Sequence, residues 1–375
     1  MNRVLAVLAV LALGPSCAAL KPKPEVVRFE PAVVTGDLEL EKLNDEELFA
    51  QGESAYAAKE WGQAARYFDR LVDFHPQSKH LRAAGYNAGL AHQQLQEWAD
   101  ARERFAALAD PAHGRDDALD ATFRLAESLF HMSRFDEAAG LLETVAGRQD
   151  LPWNKRMDAL VQKGVVQLEA RKLDDAEATL RKAMGWWQSL GDKDEVDDAL
   201  PAMAQFHLGE IYRIHYEEFH VDPEKDIDEQ AKEWEYKAEA LLSAQGHYLR
   251  AIKVGNGVWA TASGQRIGGL YEDFYDQLIK FPVPKEFNEE ESEVYRQELR
   301  KKIRVLLTKA IDIYEHTLET AERIGAQHVL VNQARDSLQR MKDLLVTNAQ
   351  LDDAAPDPAP TPPRGSKGRV TPRKN

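Results

Sequence analysis

A fixed interval runs through the first half of this chain. Trp61, Trp98 and Phe135 are spaced by 37 residues. Ala64, Ala101 and Ala138 keep that interval, as do Phe68, Phe105 and Leu142, and upstream Gly52, Gly89 and Ala126. A fourth set, Gly164, Leu173, Ala176 and Leu180, follows one residue later in phase. Coincident columns at such a period restrict the chain to a repeat architecture. Within each copy the spacing predicts two short helices. The first carries Leu48, Gly52, Ala55 and Tyr56, and the second carries Ala64, Phe68 and Leu71 on one face. The small residue of the first helix lets its neighbour approach closely. Pro76 closes the unit, because proline cannot continue a helix. One such hairpin leaves an apolar face uncovered, and stacked copies bury a continuous core. The expected fold class is all-α, a solenoid of helical hairpins.

The columns resemble the tetratricopeptide repeat. Gly52, Trp61, Ala64, Phe68 and Pro76 carry the likeness in the first copy, and Gly89, Trp98, Ala101 and Phe105 in the second. The family's usual period is a few residues shorter, so the helices or loops here are longer. The resemblance implies that the first helix of each hairpin lines an inner face that binds protein partners. The inward positions then form three columns. One is Phe49, Tyr86, Phe123 and Val161; the next is Glu53, Leu90, Glu127 and Val165; the third is Tyr56, Gln93, Phe130 and Leu168. From these the expected partner groove comprises Phe49, Glu53, Tyr56, Tyr86, Leu90, Phe123, Glu127, Phe130 and Val161. Aromatic residues anchor interfaces generally, although single members of such columns also serve as core between helices. One subclass of the family clamps a carboxylate with Asn and Lys or Arg on this face. The set here is aromatic and acidic instead, which favours a partner segment carrying apolar and basic residues.

The start of the chain reads as an export signal. Asn2 and Arg3 precede an apolar run, Val4 to Gly14, too short to span a bilayer comfortably. The sole cysteine, Cys17, follows it, so no intrachain disulfide is possible. Gly14, Pro15, Ser16 and Cys17 resemble a bacterial lipobox, with Leu13 one place early for the usual pattern. A lipidated Cys17 would tether the chain to the outer membrane. The competing reading is an ordinary cut after Ala18 that discards the cysteine. The expected organisation is a signal peptide over 1–16, a tether over 17–44 and four regular repeats over 45–190. An expanded helical region with a capping helix follows over 191–350, and a Pro-rich basic tail over 351–375.

In the expanded region Leu208, Gly209 and Tyr212 repeat the first-helix spacing, and Ala244, Tyr248 and Ala251 the second. Ile267, Gly268 and Tyr271 mark another first helix, with Ala310 and Tyr314 far downstream. The intervening stretches, Arg213 to Tyr236 and the segment holding Pro282, Pro284 and Asn288 to Glu293, are expected as insertions, which in repeats map to loops. Gly255, Asn256 and Gly257, and Gly264 to Gly269, are expected as turns. Val331, Ala334, Leu338, Met341, Leu344 and Leu345 predict a final capping helix.

Candidate chemistry is sparse. His207, His215 and His220 with Glu217 and Glu218 lack the spacing that places metal ligands on one helical face. No nucleophile motif or phosphate loop is recognised, and neither enzymatic activity nor a cofactor is expected. The net charge of −15 argues against non-specific nucleic-acid binding, and no small-molecule substrate is expected. The lipobox-like start, the four repeats and the expanded units, ending in Lys309 to His316 and Arg323 to Gly325, resemble repeat lipoproteins of myxobacteria and their relatives. Some of those belong to the outer-membrane part of a gliding-motility machinery. The resemblance implies a lipid-anchored scaffold that binds envelope proteins through its inner face. The alternative is a periplasmic module that holds outer-membrane or secreted chains.

Overall fold

The computed structural model describes residues 40–111, 116–189, 198–323 and 329–353. Contacts divide the chain into two units, Met1–Asn44 and Asp45–Asn375. Of the first, the described part holds one 3-10 turn, Leu40–Lys42. The tail over 354–375 and Cys17 lie outside the described residues.

The second unit contains thirteen α-helices among its described residues and no strand. Four short hairpins come first: α1 (Asp45–Ala57) with α2 (Trp61–Phe74), α3 (Leu81–Gln94) with α4 (Trp98–Ala106), α5 (Asp116–His131) with α6 (Phe135–Gly147), and α7 (Trp153–Glu169) with α8 (Leu173–Ser189). Longer helices follow: α9 (Ala199–Glu218), α10 (Ile227–Val254), α11 (Gly257–Lys280), α12 (Glu289–Arg323) and α13 (Val329–Asp353). Successive helices pack on one another throughout, and α7 also meets α9, as α11 meets α13.

One contact recurs in five of the six hairpins. A small residue on the first helix faces a large side chain on the second. A Cβ built on Gly52 would lie 2.6 Å from the Phe68 ring, and one on Gly89 2.6 Å from Phe105. The same construction gives 2.6 Å for Gly164 against Leu180 and for Gly209 against Tyr248, and 2.4 Å for Gly268 against Tyr314. The alanine one turn before each large residue, Ala64, Ala101, Ala138, Ala176, Ala244 and Ala310, is fully buried. The columns read from the sequence therefore run through all six hairpins, α9–α10 and α11–α12 included.

The tight hairpins share a second device. Lys59, Gln96, Ser133 and Arg171 adopt the left-handed conformation, with φ near +60° (61, 61, 58 and 59°). Each sits at the end of its first helix, and the next residue donates to a carbonyl five back, as Glu60 does to Ala55 at 2.9 Å. This closes the last turn in the manner of a Schellman motif. The α9–α10 connection lacks it. There the fully buried Lys237 sends its ammonium to the Tyr216 carbonyl at 2.7 Å and to the Phe219 carbonyl, capping α9 with a side chain. Burial pushes the Lys237 pKa down, and the negative end of α9 favours the cation.

Three expectations change. The insertions are not loops: they lengthen α9, α10, α11 and α12, leaving only short connections. Gly264 to Gly269 lie inside α11, where Gly264 faces Thr317 and Gly268 faces Tyr314, so their small size serves close helix approach. Asn288 to Glu293 opens α12 as a reciprocal cap, in which the Asn288 side chain accepts from the Glu291 amide at 3.0 Å and Glu291 accepts from the Asn288 amide at 2.9 Å. Gly255, by contrast, does end α10 in the left-handed region, at φ +102°, and Asn256 caps α11 by accepting from Trp259 at 3.2 Å.

The interlock predicts opposite effects for two glycine substitutions. Gly89→Ala drives a methyl into the buried Phe105 ring and is expected to cost about 1–3 kcal/mol, as overpacking does. Gly140→Ala, on the open face of α6 with nothing near its Cβ, is expected to gain about 0.5–1 kcal/mol. Thermal melts of the two variants check the pair.

Candidate functional site

The first helices of the hairpins share one face, and it holds a cavity of about 630 Å³ lined mostly by α5 and α7. Tyr86 of α3 forms one wall and Met203 of α9 the other. Phe123 and Phe130 are half-buried along α5, and Ala126, Leu142 and Val166 form an apolar floor. The Tyr86 ring is held edge-on by the buried Phe105 at 5.6 Å, and the Phe130 ring by Phe135 at 5.8 Å. The aromatic wall is thus fixed from behind by the repeat core.

Charges of both signs ring the apolar floor. Arg124 donates to Glu127 at 2.9 Å, and Gln93 to the same carboxylate at 3.2 Å. Lys155 of α7 lies 3.7 Å from Asp120 of α5, and Gln162 donates to Asp158 at 2.9 Å. These pairs are exposed enough that each contributes little to stability, so they can exchange partners with an incoming chain. His131 stacks on Trp98 at 3.9 Å at one end of the cleft.

The structure brings Tyr86, Phe123, Glu127 and Phe130 together, as the inward columns placed them. Phe49, Glu53, Tyr56 and Leu90 do not line the cavity. Phe49 stacks on His80 at 4.3 Å, Tyr56 meets Trp61 edge-on at 4.9 Å, and Glu53 is exposed. Val161 is a correction. It is fully buried as a member of the continuous apolar cluster to which α9 also contributes; Val165, one turn on, lines the cleft instead. The acidic character expected of the groove is also corrected: Arg124 and Lys155 balance much of its acid. Asp120, Arg124, Glu127 and His131 follow one another at helical spacing, a stripe beside the columns that the sequence could have disclosed.

Of the histidines singled out in the sequence, His207 has Nδ1 buried without a partner beside Trp259, and burial pushes its pKa down to about 4. His247, packed flat on Tyr212 and hydrogen-bonded through Nδ1 to Gln205 at 3.0 Å, is also lowered to about 4, by burial and then by Arg250 and Arg181. His92 behaves oppositely. Burial works against its charge, but Asp69 at 2.9 Å and Glu97 at 2.7 Å outweigh it and raise the pKa. Among the described residues, His92, Glu97 and Asp100 are compact enough to hold a cation, with donor atoms within 4.8 Å of one another. Both His92 ring nitrogens already face carboxylates, so the group acts as a charged clamp joining α2, α3 and α4.

With this geometry in hand, the tetratricopeptide repeat model matches residues 48–78, the span of α1, α2 and the turn that closes them. The first hairpin is a tetratricopeptide repeat. Among solved structures, one of the similar ones is the C-terminal part of a tetratricopeptide-repeat protein of Cytophaga hutchinsonii. It is 10% identical over 80% of this chain and 98% of that one, with a TM-score of 0.41. A tetratricopeptide-repeat protein of Parabacteroides merdae is 10% identical over 80% and 98%, at 0.36. A kinesin light chain with nearly identical repeats from Podospora anserina is 15% identical over 54% and 96%, at 0.37. No match was found among curated proteins. Among the described residues, no helix is long and apolar enough to cross a membrane.

The buried neutral histidines set a pH dependence. A group whose folded pKa lies below its unfolded value of 6.5 leaves the unfolded chain binding the extra proton between the two values. Stability therefore falls as pH drops from about 6.5 to about 4, by about 3 kcal/mol for each group. The raised His92 works in the opposite sense, adding stability that is present below 6.5 and lost as pH rises through its folded value. Melting temperatures across this range check the sum, and His207→Phe is expected to make the acid side shallower.

Proposed function

We propose that this chain is an outer-membrane-anchored scaffold that assembles a protein complex of the bacterial envelope. Tetratricopeptide repeats support a protein–protein interaction role. The observation that carries the reading is the preorganised cleft on α5 and α7, with its fixed aromatic wall, apolar floor and exchangeable charges. Such a surface suits a segment that inserts a bulky apolar side chain between Tyr86 and Phe123 and meets Glu127 and Asp120 with its own cations. The lipobox-like residues up to Cys17 support the anchor. The likeness of the start and of the expanded units to myxobacterial repeat lipoproteins supports a place in a motility machine of the envelope.

Two expected outcomes test the reading separately. Phe123→Ala combined with Asp120→Lys leaves helicity unchanged by circular dichroism but lowers crosslinked capture of envelope partners at least about tenfold, the effect of losing a hot-spot anchor. Undiminished capture would remove the cleft from the interface. A broad spread of unfolded barrel proteins, in place of a few partners at fixed ratio, would favour the holding module. Independently, Cys17→Ser should release the protein from the outer-membrane fraction into the periplasm; retention without any partner would refute the anchor.

A further inference from the structure

The outward face of α10 carries an exposed strip. α10 packs on α9 and α11. Its buried residues, Lys237, Ala240, Leu241, Ala244, Tyr248 and Ala251 among them, fall on one side. On the opposite side lie Glu239, Leu242, Gly246, Leu249 and Lys253, three or four residues apart in turn and hence in one line. Leu242 and Leu249 are 55% and 48% exposed.

Gly246 lies between the two leucines. Unlike Gly209 and Gly268, it is set against no large side chain: a Cβ there would meet only the Arg250 guanidinium, at 3.6 Å. A glycine inside a helix weakens it, and no contact among the described residues offsets that cost here. Arg250 donates to Gln205 of α9 at 3.3 Å and borders the strip on that side.

The strip matches itself when reversed. Leu242 and Leu249 stand almost equally far from Gly246 in opposite directions, and so do Glu239 and Lys253. The outer two have opposite charge, and neither has an ion-pair partner among the described residues. In a second copy of the helix turned end for end about Gly246, each leucine meets a leucine and each Glu239 meets a Lys253. A parallel copy would set Glu239 on Glu239 and Lys253 on Lys253. Complementarity to itself under a two-fold rotation is what a symmetric dimer requires, and an unrelated partner gives no reason for it. The missing side chain at the centre lets the two backbones approach until the leucines interdigitate.

We propose that α10 pairs antiparallel with α10 of a second copy of this chain, with the two-fold axis at Gly246. α10 lends no residue to the partner cleft, so the pairing does not compete for that site. One helix pair buries less than the ~1,600 Å² of a standard interface, so the dimer is weak and separates on dilution.

The test is sedimentation equilibrium of the full mature chain carrying Cys17→Ser. A monomer–dimer equilibrium at roughly 10–100 μM is expected. Glu239→Lys alone and Lys253→Glu alone set like charges opposite one another and should each weaken the dimer about tenfold. The two together restore opposite charges and should recover it. Both side chains are exposed, so helicity and melting temperature stay unchanged. Oxidation reads the register, because Cys17→Ser leaves an introduced cysteine as the sole thiol. Gly246→Cys lies on the axis and should form an intermolecular disulfide. Glu235→Cys should not, since its two copies stand about 33 Å apart across an antiparallel pair; a parallel pair would cross-link both. A monomer up to about 1 mM, single charge variants as tight as the parent, a double variant as weak as the singles, or cross-linking no faster at 246 than at 235 would overturn the proposal.

Discussion

The array depends on how closely two helices of one hairpin can approach. With a glycine on the first helix, a phenylalanine, leucine or tyrosine of the second lies flat against bare backbone, at distances no Cβ would tolerate. The buried alanine one turn earlier brings the axes together at a second level. These two contacts fix the hairpin geometry, and with it the angle at which the next hairpin must stack. Interiors packed to crystal-like density transmit such constraints rather than absorb them. This is why the same pairing survives in α9–α10 and α11–α12, although the residues between the partners have more than doubled there.

The longer hairpins require further polar devices, because longer helices bury more of their own polar groups. Glu210 of α9 is buried, and burial alone would raise its pKa. Arg213 at 2.9 Å, Arg266 at 3.0 Å and the Tyr248 hydroxyl outweigh that and hold it below the usual range. Glu272 of α11 receives the Tyr314 hydroxyl at 3.0 Å and pairs with Arg340 of α13. In both cases the tyrosine that packs on the glycine also donates to a carboxylate on the same first helix, and an arginine from the following odd-numbered helix completes the pair. The interlocking side chain has gained a polar tip that ties three helices. Removing one member would strand a buried charge, a larger penalty than any exposed pair could impose. α9 stands between two apolar clusters, giving Leu208, Ile211 and Ile214 to one and Phe206 and Tyr216 to the other.

What the sequence disclosed follows from which residues had no freedom. Gly52, Ala64 and Phe68 and their counterparts are fixed in size by contact, so they recur as columns, and the hairpins could be counted, including the two expanded ones. The left-handed turn positions could not be seen, because Lys59, Gln96, Ser133 and Arg171 share a backbone conformation without sharing a residue type. Gly264 to Gly269 misled for the opposite reason: glycine serves both turns and close packing, and α11 uses it for the second. In the cleft, Tyr86, Phe123, Glu127 and Phe130 were legible through the period. Arg124 showed only in the helical spacing of Asp120, Arg124, Glu127 and His131, and Lys155 in no pattern, since a charged residue on a helix usually faces water. Val161 failed because column membership sets direction, whereas exposure also depends on side-chain length and on what packs above.

The third hairpin departs from the columns, and the cleft opens there. Where the first two hairpins set Phe68 and Phe105 against glycine, the third carries Leu142 and Ala126 at the corresponding positions. The second helix contributes less volume, and the first keeps a methyl. Both residues form part of the cavity floor. A phenylalanine at 142 would extend into that space, as its counterparts fill the same level of their own hairpins. Because Leu142 remains 1% exposed and tightly packed from behind, the opening is a rigid recess rather than a loosened core. Rigid recesses lose little conformational freedom when filled. The substitution that weakens the periodic pattern therefore coincides with a place on the inner face where an apolar side chain from another protein can be buried at small entropic cost.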